Sequence, residues 1–316
     1  MTFLTVFGHR ALDGWHGRDV HASNAGGLRC GFRRYMDIRL QFQQKLGLVM
    51  DEREARSVTL LLFEKLCGLS TADLLSGKAD VLSAESMHRM EEAVRRVADG
   101  EPVQYVVGRA DFMDMELEVN PSVLIPRPET EDLVRMVVKE NHQLINGRIL
   151  DIGTGSGCIA LALKRELPEN EVMGWDVSPA ALDVARRNAI HTGLDVVFQE
   201  RDILDAPCHH IFFDLIVSNP PYICRHEAKE MEGHVLEHEP HTALFVPDNR
   251  PLLFYDAIVK FSNTSLNDGG GLYFEVNREY ATDVAQLLEF SGYTNVAVFD
   301  DQFGNPRIVR GNRSRN

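Results

Sequence analysis

From Arg148 onward, short apolar runs alternate with longer stretches of helical period, and this alternation restricts the fold more than any other feature of the chain. Ile149–Ile152, Glu171–Asp176, Val196–Gln199 and Leu215–Ser218 read as strands, with helices over Ser156–Glu166 and Pro179–His191 between them. A strand that is followed by a helix and then by another strand of the same sheet must cross over that sheet. Such strands lie parallel and carry helices on both faces. After a long irregular stretch the pattern resumes: a helix over Leu252–Leu266, a strand over Gly271–Val276, a helix over Tyr280–Phe290, and strands near Thr294–Phe299 and Arg307–Val309. The expectation is an α/β domain with a mostly parallel sheet.

The chain before this domain reads differently. From Met36 to about Gly100 the period is helical: Leu40, Phe42, Leu46 and Leu48, then a helix over Asp51–Leu66, then one near Ala84–Ala98 with Met87, Met90, Val94 and Val97 at spacings of three and four. Gly100 and Pro102 end it, so residues 36–100 read as a small helical bundle. Val103–Val107 and Phe112–Val119 read as strands joined by a turn at Gly108–Asp111, which makes 101–127 a hairpin linker. Pro128, followed by Glu129, Glu131 and Asp132, suits a helix start and opens the domain over 128–316. The first 35 residues carry five Arg and two Asp and show no apolar period; they read as an extension before a natural start at Met36.

Composition narrows the partners. A 44% hydrophobic, 25% charged chain is not a disordered one. The net charge of −14 repels a phosphate backbone, so no nucleic-acid partner is expected. No segment approaches the roughly 20 apolar residues of a membrane span. The five cysteines are scattered and odd in number, which argues against a disulfide framework or a zinc site and favours a reducing cytoplasm.

Three motifs carry chemistry, and each follows a strand of the alternating region. Asp151-Ile-Gly153-Thr154-Gly155-Ser156-Gly157 lies between a strand and a helix, where glycines permit a sharp turn and a close ligand. A dinucleotide loop needs a third glycine at position 158, which is Cys158; the loop instead resembles that of S-adenosylmethionine-dependent methyltransferases. Asp176 ends the next strand, where a carboxylate accepts hydrogen bonds from ribose hydroxyls, and Ser178 is placed to cap the following helix. Asp202, with Ile203 beside it, falls after the third strand near the expected adenine. The last motif is Asn219-Pro220-Pro221-Tyr222. It offers an amide acceptor, a carbonyl held by proline and a flat aromatic face, parts that suit a substrate with a planar nitrogen bearing N–H. His226, His234, His238 and His241 lack a carboxylate–histidine ligand motif, so no metal is expected.

From Met36 to its end the chain resembles the release-factor N5-glutamine methyltransferase family. Asn219–Tyr222 is shared with enzymes that methylate amino groups of adenine and guanine, the alternative reading of function. More specific are Glu101-Pro-Val-Gln-Tyr105, Gly108, Asp111-Phe112, the run Leu124-Ile-Pro-Arg127-Pro-Glu129-Thr130-Glu131, and Glu239-Pro240 with Ala243-Leu244. The resemblance implies a helical domain that engages the release factor, a hairpin linker and a seven-stranded catalytic domain. It also implies that Asn219 and the Pro220 carbonyl bind the glutamine amide. Ile203 stands where an aromatic is frequent, and Asn277 where glycine is common.

Overall fold

The computed structural model describes residues 38–76, 82–205, 211–230, 233–301 and 303–314. The extension read over 1–35 lies outside the described residues. The chain divides into two compact units, one ending at Val107 and the other beginning at Gly108.

The first unit is helical: α1 (Ile38–Leu46), α2 (Glu52–Cys67), α3 (Thr71–Leu75), α4 (Ala84–Ala98) and α5 (Val103–Val107). Side-chain caps mark the starts: Asp51 accepts from the Glu54 amide, Ser70 and Asp73 form a reciprocal capping box, and Ser83 accepts from the Ser86 amide. Met90, Ala93, Val94 and Val97 make one buried stripe of α4, packed with Phe42, Leu46, Leu62 and Phe63. Leu48 belongs to no such stripe; α1 stops at Leu46 and Leu48 is 85% exposed.

The strand expected over Val103–Val107 is a helix. Pro102 stands just before it and its carbonyl accepts from the amides of Tyr105 and Val106, closing a turn that buries both side chains. The three valines signal a strand only as isolated residues; burial of one helical face overrides their β preference.

The second unit opens with the hairpin β1 (Arg109–Phe112) and β2 (Met115–Glu118), whose turn is Met113–Asp114 and not Gly108–Asp111. Both turn residues have positive φ, 46° and 57°, as a two-residue hairpin with the twist of its strands requires. The Met113 amide donates to Glu131 Oε1 at 2.8 Å, and this tertiary bond helps hold a turn that lacks the usual glycine.

Next come α6 (Pro128–Asn141), β3 (Arg148–Ile152), α7 (Cys158–Glu166), β4 (Glu171–Asp176), α8 (Pro179–Thr192), β5 (Val197–Glu200) and β6 (Phe213–Ser218). Beyond them lie β7 (Ile223–Cys224), α9 (Gly233–His238), α10 (His241–Leu244), β8 (Phe245–Val246), α11 (Leu253–Ser265), β9 (Leu266–Glu275), α12 (Ala281–Phe290), β10 (Tyr293–Asp300) and β11 (Pro306–Arg313). Seven strands form one sheet in the order β10-β11-β9-β6-β3-β4-β5. From β9 to β5 neighbours are parallel, while β11 lies antiparallel between β9 and β10. Each face is covered. Leu133, Val137, Leu161, Leu163, Leu182 and the hairpin's Phe112 and Leu117 pack on one side. Tyr255, Ile258, Val259, Phe274 and Leu288 pack on the other.

Candidate active site

After β3 the chain adds β4 and β5 on one side, then returns to place β6 on the other. The loops leaving β3 and β6 therefore diverge from neighbouring strands, and the crevice between such loops is where open parallel sheets bind ligands. The Ser218 hydroxyl donates to the Ile152 carbonyl at 2.6 Å and locks the two strand ends together. A Cβ built on Gly153 would lie 4.0 Å from the Asn219 carbonyl oxygen, so the glycine loop and the Asn219 turn face each other at short range.

The glycine loop turns most of its amides inward. Gly153 and Thr154 donate to the Trp175 carbonyl, Gly157 to that of Thr154, and Gly155 to Asp176 Oδ2 at 2.9 Å. Helix α7 accordingly begins at Cys158, two residues later than its expected start at Ser156. A loop whose amides are already committed is no phosphate cradle; it is a shaped wall. Gly157 (φ 83°) is required twice over, since a Cβ there would press on Phe198 and Ala185 at 3.1 and 3.2 Å. At Gly155 (φ 53°) a Cβ would meet nothing within 4 Å, so space is open on that side.

Beneath the loop sits Asp151, with no solvent exposure. Its Oδ2 accepts from the Thr154 hydroxyl at 2.6 Å and the Ala160 amide at 3.2 Å. Its Oδ1 has no partner among the described residues. Burial, with the Asp176 charge nearby, pushes the Asp151 carboxyl up to about 7 against the pull of those two bonds. Ser156, also buried, closes the loop's inner side, and its carbonyl accepts from Asn188 Nδ2 at 2.9 Å. Desolvation pushes the Cys158 thiol up to about 12, which keeps it protonated and unreactive.

Asp176 ends β4 half-buried, with Oδ1 accepting from the Ser178 amide and Oδ2 from that of Gly155, each at 2.9 Å. A carboxylate has about four acceptor sites, so acceptor capacity remains for ribose hydroxyls in a pre-aimed group. Ser178 caps α8 as its position predicts. Asp202 is exposed and its Oδ1 accepts from the Leu204 amide, a local turn that shapes the stretch Ile203–Asp205. Ile203 packs on the core face that holds Trp175. An unsatisfied buried carboxylate oxygen, a pre-aimed Asp176 and open space at Gly155 fit a cationic, ribose-bearing ligand of the S-adenosylmethionine type.

The Asn219–Tyr222 turn is bound at both ends. Asn219 Nδ2 donates to Thr130 Oγ1 at 3.2 Å, and the Thr130 hydroxyl donates to Glu275 Oε2 at 2.7 Å. The Tyr222 hydroxyl donates to the other oxygen, Glu275 Oε1, at 3.3 Å. Pro220 is buried and Pro221 half-buried. Thr130 enters the sequence reading only as a member of a family-like run, and Glu275 only within the strand read over Gly271–Val276. The signal that marks Glu275 is an acid ending the apolar run Leu272–Phe274, much as Asp151 follows Ile149 and Leu150 in β3.

Two of the family-like runs also meet. Arg127 pairs with the fully buried carboxylate of Glu239, which also accepts from the Ile125 amide at 3.3 Å. In the histidine stretch, His226 Nδ1 lies 3.1 Å from Asp248 Oδ1, which accepts the His226 amide as well, and Cys224 completes a cluster with donor atoms within 4.8 Å. His241 Nε2 is 2.8 Å from the Leu236 carbonyl.

Residues 41–108 match the PrmC N-terminal domain, and residues 130–244 the Methyltransferase small domain. The release factor glutamine methyltransferase of Bacteroides thetaiotaomicron is 41% identical over 277 residues, 87% of this chain and 99% of that protein. Its namesake in Flavobacterium psychrophilum is 40% identical, over 87% of this chain and 97% of that protein. The namesake in Streptococcus pneumoniae is 38% identical over 83% and 93%. With identity at this level along nearly the whole length of these relatives, the chain belongs to the release factor glutamine methyltransferase family.

Proposed function

We propose that this chain transfers a methyl group from S-adenosylmethionine to the side-chain amide nitrogen of a glutamine in a peptide chain release factor. The observation that carries this reading is the close approach of the Asn219 turn to the glycine loop at the sheet's switch point. That proximity supports a pair of amide acceptors lying beside the wall along which the methyl donor would bind.

When bound, the cofactor supplies a sulfonium methyl that is already electrophilic. Asp176 would take its ribose hydroxyls, Asp202 and Ile203 would flank its adenine, and Gly153, Thr154, Gly155, Ser156 and Gly157 would form the wall along it. The protein's task is the nucleophile, an amide nitrogen whose lone pair is spread into its carbonyl. Asn219 Oδ1 and the Pro220 carbonyl accept its two N–H groups, fix its orientation and favour the positive charge that develops on it. Tyr222 and Pro221 bound the slot for the planar amide. The proton that the amide nitrogen gives up on methylation would pass to solvent, and no general base is required. The net charge of −14 supports a protein rather than a nucleic acid as substrate, in the cytoplasm where release factors act.

The test is to incubate the enzyme with methyl-labelled cofactor and either purified release factor or nucleic acid. Label on one glutamine by mass spectrometry supports the reading; label only on nucleic acid overturns it.

A further inference from the structure

We propose that Thr130 and Glu275 are positioning residues, which form a one-way hydrogen-bond relay that decides which end of the Asn219 side-chain amide faces the substrate. The inference rests on the reading of Asn219 as an amide acceptor and goes beyond it, because it assigns the cause of that acceptor's orientation.

The oxygen and nitrogen ends of an asparagine amide have nearly the same shape, so sterics alone cannot choose between them. A flipped Asn219 would offer N–H groups to a substrate that itself offers N–H, and the clamp would repel what it should hold. Hydrogen-bond counting settles the choice. Thr130 Oγ1 has one proton, and 2.7 Å away is Glu275 Oε2, which only accepts when ionised. The proton is thereby committed. Thr130 then has only lone pairs to give Asn219 at 3.2 Å, and only Nδ2 can use them. Asn219 Oδ1 must turn away from Thr130.

Water cannot relax this constraint, because Thr130 is 3% and Glu275 1% exposed. Glu275 also takes the Tyr222 hydroxyl, so one carboxylate secures both ends of the turn. Its backbone is held as well, since the Tyr255 hydroxyl donates to the Glu275 carbonyl at 3.1 Å. Burial raises the Glu275 carboxyl above its ordinary range, and the bond from Thr130, the Arg307 charge and the bond from Tyr222 pull back toward the anion.

The experiment compares Thr130→Val, Thr130→Ser, Glu275→Gln and Asn219→Ala by single-turnover methyl transfer to release factor with both substrates saturating, and by cofactor titration calorimetry. Thr130→Val should lower the rate by about 10- to 100-fold, less than the roughly 10²–10³ lost with a preorganised bond at the reacting centre, because Thr130 acts through Asn219. Cofactor Kd should stay within about two-fold. Thr130→Ser keeps the hydroxyl and should stay within about three-fold of wild type. Were Thr130 a packing residue, the order would reverse, because Val keeps the methyl and Ser loses it. Glu275→Gln should lower the rate too, since its NH2 can donate to Thr130 and release the Thr130 proton toward Asn219 Oδ1. Wild-type rates in Thr130→Val and Glu275→Gln beside an inactive Asn219→Ala overturn the relay and leave the amide clamp standing. An active Asn219→Ala overturns the clamp itself. If Thr130→Val does not fold, Glu275→Gln decides: a wild-type rate with unchanged cofactor Kd overturns the relay.

Discussion

Asp151, Asp176 and Glu275 lie at or one residue before the ends of three strands of one sheet, and all three carboxyls are raised above their ordinary range by burial. Asp151 is the informative one. Near pH 7 it is poised between its two forms, and a cationic ligand favours the charged one. Cofactor binding should therefore release a fraction of a proton near neutrality, and affinity should rise as pH increases through about 7. Calorimetry in phosphate and in Tris, whose ionisation enthalpies differ, measures that proton; equal enthalpies in both buffers would exclude the linkage. The sign for folding is opposite. The native carboxyl binds its proton more tightly than the unfolded one near 3.8, so without cofactor its contribution is full at low pH and fades as pH rises toward about 7. Asp176 carries a separate prediction: Asp176→Ala removes the proposed ribose acceptor and the partner of the Gly155 amide. A charge-assisted bond is worth about 1.5–3 kcal/mol, so cofactor Kd should rise by roughly ten-fold or more. An unchanged Kd would take Asp176 out of the site.

At the scale of elements, one side chain of α8 bonds to both the hairpin and the glycine loop. Asn188 has no solvent exposure; its Oδ1 accepts from the Glu118 amide at 2.6 Å and its Nδ2 donates to the carbonyls of Glu118 and Ser156. Asn188→Ala strands three backbone groups, at least one of them buried, at a cost of about 2 kcal/mol or more. The melting temperature should drop by roughly 5 °C, and cofactor affinity should weaken because Ser156 belongs to the loop. A loss of stability with unchanged affinity would show that Asn188 fixes the hairpin alone. Elements were legible in proportion to their local signal. The Ala84–Ala98 helix and the Glu171–Asp176 strand fall where period and caps place them. The Val103–Val107 helix and the Met113–Asp114 turn do not, because burial forms the first and a bond from Glu131 supports the second.

Across the whole second unit, residues far apart in sequence complete one another. The Arg127–Glu239 pair spans 112 residues and joins the segment before α6 to the long excursion after β6. Arg127→Met leaves a fully buried carboxylate that keeps its bond from the Ile125 amide. Loss of one member of a buried pair costs about 3–5 kcal/mol, and the partial exposure of Arg127 argues for the low end. Glu239→Gln added to Arg127→Met should recover much of the melting temperature; a double variant no better than the single would show that the charge is not what destabilises.

The amino-acid order by itself determined what depends on neighbours in the chain: the alternation that makes a parallel sheet, the glycines that shape the loop after β3, the cap at Ser178, and the rigid turn at Asn219–Tyr222. Those signals act over a few residues, through backbone sterics and local hydrogen bonds, and need no distant partner. Only the tertiary structure decided that Asn219, Thr130 and Glu275 meet, across 89 and 145 residues. It also decided that Asp151 has a carboxylate oxygen to spare. The orientation of an amide and the charge of a buried acid depend on which donors surround them and on how far water is excluded, and both exist only once the chain has closed around them.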